Sequence, residues 1–245
     1  MREDGLGDEF GLRAGEDASG WPALQRALAL FTIDPVGLGG VWLRSGPDPR
    51  RDAVVAWTRA MLGDAPWLTL PGHVTDDRLY GGLALAETLA RGALVHERGL
   101  LARAHGGVLV APMAERLSTS VVAALGGALD RGELTLEREG LTERLPCRLG
   151  LVARDEGRRS EGEALPEPLR DRLAFVLDLR APDLRGPAPA PPTPEAVHAA
   201  RALLGEVELP DEALEALARG ALGLGIPSLR ATLLAARAAR ANAAL

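Results

Sequence analysis

A phosphate-binding loop does its chemistry with two residue types at fixed spacing. A lysine ammonium sits on the β- and γ-phosphates, and the Ser or Thr that follows it holds magnesium. One stretch of this 245-residue chain has a strand-like run ending in a turn: Gly39-Gly40-Val41-Trp42-Leu43-Arg44-Ser45-Gly46-Pro47-Asp48-Pro49-Arg50-Arg51-Asp52. It has the glycines but neither the lysine nor the hydroxyl residue after it. The chain contains no lysine at all, and its 28 basic residues are all arginine. Uniform arginine reads as a coding bias rather than a special chemistry. Gly39, Gly40, Ser45 and Gly46 are therefore candidates for at most a weak anion-binding loop, through backbone N–H groups. An ATPase of this layout also needs an acidic pair at the end of a later strand, to organise magnesium and the attacking water. The matching strand here, Val108-Leu109-Val110, runs into Ala111-Pro112, which can do neither.

The other reactive side chains form no constellation. His73, His96, His105 and His198 are scattered without metal-ligand spacing, and Asp76-Asp77 reads as a helix start after Thr75. No metal site is expected. Cys147 is the lone cysteine, which excludes an internal disulfide; it is expected to be a buried, inert thiol. Glu137, Arg138, Glu139, Glu143 and Arg144 read as a solvated hairpin face.

The elements that would position these residues follow from apolar spacing. Leu24, Ala27, Leu28 and Phe31 recur as on a helix, and Val54 to Met61 continues as another. Val41–Leu43, Trp67–Leu70, Val108–Val110, Leu149–Ala153 and Phe175–Leu177 are five short apolar strands alternating with helices. That pattern predicts a mainly parallel sheet in a three-layer α/β sandwich. Between the second and third strands lies a long polar insert, His73 to Gly106. Leu134–Glu137 and Leu141–Arg144 flank a turn at Glu139-Gly140 and predict a β-hairpin.

Residues 1–20 read as a loose, acidic arm and 21–185 as the α/β domain. Residues 186–194, with five prolines, read as a linker. Residues 195–245 read as a small helical lid punctuated by Gly205, Gly220, Gly225 and Pro227. The composition is 47% hydrophobic and 25% charged, which is globular. The net charge of −6 argues against a generic nucleic-acid binder. No apolar run is long enough to span a membrane and no signal peptide is visible, so a cytoplasmic protein is expected.

Four segments, in order, carry a family resemblance. Gly72-His73-Val74-Thr75-Asp76-Asp77-Arg78-Leu79-Tyr80-Gly81-Gly82-Leu83 resembles the ATEDRVVGSLDL segment of magnesium chelatase ATPase subunits. Gly99 to Val110 is similar to their GLLARAHRGVLYVDE run. Leu134 to Leu141 resembles their VEREG hairpin, and Ile226 to Leu245 their lid helix with its second sensor arginine. The resemblance covers nearly the whole chain and implies an AAA+ P-loop-type fold with a helical lid.

The departures indicate which subunit. The incomplete loop, Ala111-Pro112, and Arg154-Asp155-Glu156 where a sensor Asn would stand all resemble the D subunit of that family, whose AAA+ domain is degenerate. Leu169-Arg170-Asp171-Arg172-Leu173 resembles its LLDRF motif. The resemblance implies that Arg172, with Arg170 second, acts in trans as an arginine finger, and that Arg230 is the lid sensor. The competing reading pairs Arg172 with Asp171 or Glu167 on a solvated surface. Family D subunits continue into an acidic Pro-rich linker and an integrin-I-like domain, so this chain is expected to correspond to an N-terminal part.

The implied function is a non-hydrolysing platform in the ATP-dependent insertion of Mg²⁺ into protoporphyrin IX, for chlorophyll or bacteriochlorophyll synthesis. The implied partners are an ATP-hydrolysing AAA+ subunit and a porphyrin-binding subunit, in a ring-forming hetero-oligomer. ATP and Mg²⁺ would be used by the hydrolytic partner, with no cofactor assigned to this chain. The alternatives are a MoxR-like AAA+ adaptor that remodels protein complexes, and a true ATPase with an aberrant loop.

Overall fold

The computed structural model describes residues 20–92, 95–138, 141–158, 162–190 and 193–245. The expected arm over residues 1–20, Gly20 excepted, and the hairpin turn Glu139-Gly140 lie outside them. The chain opens with α1 (Gly20–Ile33), β1 (Gly40–Arg44), α2 (Pro49–Leu62) and β2 (Trp67–Thr69). It continues through α3 (Asp76–Tyr80), β3 (Gly81–Leu83), α4 (Leu85–Arg91), β4 (His96–Arg98), α5 (Leu100–Arg103) and β5 (Val108–Ala111). Then come α6 (Thr119–Arg131), β6 (Glu133–Arg138), β7 (Leu141–Pro146), β8 (Gly150–Asp155), α7 (Glu167–Arg170) and β9 (Phe175–Asp178). Three helices close it: α8 (Pro194–Leu203), α9 (Asp211–Gly223) and α10 (Leu229–Ala244).

The central sheet has the order β2-β5-β8-β1-β9 with every pairing parallel. Its strands are apolar at consecutive positions because both faces are covered. Val41, Leu43, Val108, Val110, Val152 and Leu177 enter one core, with Leu24, Leu28 and Phe31 of α1 and Val54 and Met61 of α2. Trp42, Leu109, Ala111, Leu151 and Ala153 enter the other, with Leu101 of α5 and Leu125 of α6. Burying each such Leu or Phe contributes roughly 1.5–3 kcal/mol relative to exposure. This is the expected three-layer sandwich, and the fold is that of AAA+ ATPases.

Helix ends follow local chemistry. Ser118 caps α6 by accepting from the Val121 N–H, and Gly132 ends it at a φ of 66°, where a side chain would be strained. The insert after β2 is more ordered than its composition suggests: β3 and β4 pair antiparallel between α3 and α5. The β6–β7 hairpin forms as expected, from Glu133↔Pro146 to Arg138↔Leu141.

Residues 194–245 carry the helices α8, α9 and α10, but they are not a detached lid: Ala241 of α10 is buried in the core of α1 and α2. Val197 and Ala200 of α8 lie in the same core as α1 and α2. Arg201 on α8 donates to the Thr32 carbonyl at 2.6 Å. The described part of the Pro-rich stretch is tied down too, by Gln25 Nε2 donating to the Ala190 carbonyl at 2.7 Å. Among the described residues no helix is long and apolar enough to cross a membrane.

Candidate functional site

Two clefts open at opposite ends of the parallel strands. The carboxyl end of the sheet is where open α/β sheets bind ligands, and where a P-loop would lie between β1 and α2. Only half of the expected loop is there. Ser45 and Gly46 follow β1, whereas Gly39 precedes it and Gly40 opens it, about 16 Å away along a five-residue strand. The structure does not bring the four together. Gly39 and Gly40 are glycine for packing: a Cβ at Gly39 would meet the Arg172 carbonyl oxygen at 2.1 Å, and one at Gly40 the Leu151 oxygen at 2.2 Å.

Three of the four backbone donors expected to hold an anion are also spent. Gly39 N–H donates to Val36 O, Gly40 N–H to Leu38 O and Ser45 N–H to Asp155 O. At the α2 N-terminus the chain supplies its own anion. Asp48 accepts from the Arg50 N–H at 2.8 Å and from the Arg50 guanidinium, whose hydrogen bond holds the Asp48 carboxyl below its ordinary pKa. The space in front of a helix N-terminus, where a phosphate would be welcome, thus faces a carboxylate.

Behind it, side chains fill the strand ends. Arg44 of β1 pairs with Asp178 of β9 at 3.0 Å and stands over the Trp42 ring. Trp42 Nε1 donates to Asp155 of β8 at 2.8 Å, and Asp155 is 2% exposed. An adjoining cavity of about 470 Å³ mixes both signs, with Glu115, Glu156 and Glu163 against Arg116, Arg158 and Arg180. A magnesium nucleotide does not fit this donor set. Nothing supplies the lysine, Ser45 Oγ turns back to the Gly46 carbonyl at 2.7 Å, and Asp48 would repel the phosphates.

Glu115 was missed in sequence. After β5 the backbone turns through Met113 in the left-handed region, φ 47°, and returns a carboxylate to the strand edge. Its side chain is fully buried, and burial pushes its carboxyl pKa up, with the neighbouring Asp155 charge adding. One oxygen accepts from the Glu156 N–H at 3.2 Å. The sequence signal was an acid four residues beyond the strand, past a proline, rather than directly at its end. Among the described residues no cluster of His, Cys, Asp and Glu could hold a metal ion.

The opposite, amino end of the strands assembles the two expected arginines. Arg172 follows α7 and grips Asp130, in the last turn of α6, with Nε on Oδ1 at 3.0 Å and Nη2 on Oδ2. Arg230, at the start of α10, donates to the same Oδ1 at 2.7 Å and pairs with Asp171 at 3.1 Å. The partner of Arg172 is therefore Asp130, neither Asp171 nor Glu167. It is Arg170 that meets Glu167, at 3.5 Å on the surface. The Arg172 hydrogen bond, then that of Arg230, holds the Asp130 carboxyl below its usual range. These groups line a cleft of about 620 Å³ between the sheet edge and α10.

Comparison with protein-family models gives no match. Among curated proteins the chain is similar to the magnesium-chelatase 60 kDa subunit of Cereibacter sphaeroides, 42% identical over 91% of this chain and 37% of the relative. It is also similar to the 67 kDa subunit of Chlorobaculum parvum, 32% identical over 94% of this chain and 39% of that one. The magnesium-chelatase 38 kDa subunit of Cereibacter sphaeroides is 33% identical over 78% of this chain and 64% of its own length. The chain thus spans well under half the length of the larger relatives it matches. Among solved structures, a candidate ATPase of Cytophaga hutchinsonii superposes with a TM-score of 0.61 at 15% identity, over 92% of this chain and 75% of that one. A cryo-EM-based complex of subunits BchI and BchD of magnesium chelatase superposes with a TM-score of 0.52 at 22% identity, over 90% and 91%. Over 91–94% of its length the chain is thus similar to the larger magnesium-chelatase subunits, and over 78% to a 38 kDa one.

Proposed function

We propose that the chain is the degenerate AAA+ platform of a D-type magnesium-chelatase subunit, acting in a ring with an ATP-hydrolysing subunit and serving a porphyrin-binding subunit in the cytoplasm. It binds no cofactor of its own, and ATP and Mg²⁺ belong to the hydrolytic neighbour. The observation that carries this reading is the division of labour between the two ends of the sheet. The end that should hold a nucleotide is closed by Asp48, Arg44, Asp155 and Asp178, while Arg172 and Arg230 meet at the other end, away from it.

In this reading both arginines serve a neighbour. A guanidinium placed at a transferring phosphoryl group stabilises the charge that develops on it, without any proton transfer. Arg230, expected as a sensor for its own site, stands instead beside Arg172 and shares its carboxylate, so the pair acts together in trans. Similarity to both the 60 and 38 kDa chelatase subunits favours this over a MoxR-like remodelling adaptor. The test is reconstitution: Arg172→Ala in the full-length subunit, mixed with wild-type partners, should assemble normally and make Mg-porphyrin slowly. Normal activity with normal assembly would sink the reading.

A further inference from the structure

The cleft at the amino end of the strands has an unbalanced charge set. Arg131, Arg148, Arg172, Arg230 and Arg237 line it together with one carboxylate, Asp130. Arg131 and Arg148 have no carboxylate partner among the described residues, and Arg237 donates to the Gly37 carbonyl at 2.6 Å. Five guanidiniums around one cavity repel each other unless an anion lies among them. Among the described residues Asp130 is the one anion in the lining, and it satisfies two of the five through charge-assisted bonds, with Asp171 outside the lining adding a second partner to Arg230 alone. Its two oxygens accept from Arg172 as a bidentate pair and Oδ1 also accepts from Arg230, which is what two oxygens of a phosphoryl group would offer the same guanidiniums.

We infer that Asp130 is a built-in stand-in for phosphate, a carboxylate that occupies the Arg172–Arg230 pair until a polyphosphate chain displaces it. The inference deepens the trans reading, and rests on it for the source of the ligand, a nucleotide held by the neighbouring subunit. The chemistry of the ligand, a chain of phosphates long enough to meet Arg237 or Arg148 as well, comes from the cleft itself. Asp130 then has two effects. It keeps the arginines aligned while no ligand is present, and it sets a threshold, because a weak anion cannot compete with a carboxylate already bonded in place.

The experiment titrates inorganic tripolyphosphate into the whole chain by calorimetry at low salt. Asp130→Asn keeps the shape and removes the competing charge. It should bind tripolyphosphate about tenfold more tightly than wild type, the loss of one charge-assisted competitor. Adding Arg172→Ala to Asp130→Asn should abolish the gain. Unchanged or weaker binding by a folded Asp130→Asn chain overturns the inference. Should that variant not fold, the wild-type melting temperature decides: tripolyphosphate should raise it and Arg237→Ala should diminish the rise, whereas no rise with wild type is equally fatal. The source of the ligand is read separately. If Asp130→Asn tightens tripolyphosphate binding while Arg172→Ala leaves the reconstituted chelatase unchanged, the cleft takes free polyphosphate and the trans reading fails alone.

Discussion

Arg230 Nη1 lies 2.7 Å from Asp130 Oδ1, joining the last helix to the end of α6 across 100 positions of sequence. The same carboxylate is held by Arg172, so three elements distant in the chain, α6, the segment after α7 and α10, meet on one group. Each partner is only partly exposed, at 32% for the Asp130 side chain, 20% for Arg172 and 39% for Arg230. Such a cluster places both guanidiniums at one point on the rim rather than leaving them as independent surface charges.

Arg172→Ala and Arg230→Ala should each lower Mg-porphyrin formation by the reconstituted complex, with normal ring assembly. The loss for Arg172→Ala can reach on the order of 10³-fold, the scale of a missing arginine finger. Because the two share a carboxylate and a target, the double variant should be little worse than the worse single one. Additive losses measured as initial rates would show two independent roles.

The isolated chain should not turn over ATP, and its β1–α2 loop should not hold ATP. If Mg-ATP bound at the β1–α2 loop with a Kd a hundredfold below its concentration, it would add about 2.7 kcal/mol to folding stability. With Asp48 on the α2 N-terminus and no lysine, thermal melts of the Arg172→Ala chain, whose arginine cleft is disabled, should superpose with and without millimolar Mg-ATP. A clear upward shift that Arg172→Ala does not affect would place a nucleotide at the loop.

The five central strands were legible because each is a short apolar run, and the two-sided burial of Val41, Trp42 and Leu43 is why such runs do not alternate. The β3–β4 pair was not. Gly81-Gly82-Leu83 and His96-Glu97-Arg98 have neither β-branched residues nor alternation, and their pairing comes from the insert closing on α3 and α5. The misplaced loop has another cause. A glycine required because an added Cβ would run into a backbone carbonyl looks the same in sequence as one required by a phosphate. Asp130 gave no signal at all, since it reads as a helix stop before Gly132 and both its partners lie 42 or more positions away.

The glycines separate these causes by mutation. Gly39→Ala and Gly40→Ala should each destabilise the fold by roughly 2–4 kcal/mol, since a backbone carbonyl must move in either case. In a domain of this size that lowers the melting temperature by roughly 5–15 °C. Gly46→Ala should be neutral within about 0.5 kcal/mol, because a Cβ there meets no atom within 4 Å. Equal tolerance at all three positions would remove the packing explanation.

Glu115 should make the stability of the chain fall as pH rises through the weakly acidic range. Burial is the main reason its folded pKa stands above the ordinary 4.5, with the Asp155 charge adding; the Glu156 N–H and Arg116, 3.6 Å away, oppose the shift without cancelling it. A carboxyl raised in the folded state binds its proton more tightly there than in the unfolded chain. Between the two pKa values the folded state therefore carries more protons, and stability decreases with pH. The contribution is fully present below the unfolded pKa, fades from about pH 4.5 upward, and is gone once the folded pKa is passed. Glu115→Gln keeps an acceptor for the Glu156 N–H and removes the ionisation. Its melting temperature should match wild type at the acid end and exceed it at neutral pH, the difference opening across that window. Parallel curves, or a variant that is worse at neutral than at acid pH, would mean that Glu115 is held as a stabilised carboxylate, paired with Arg116 after all.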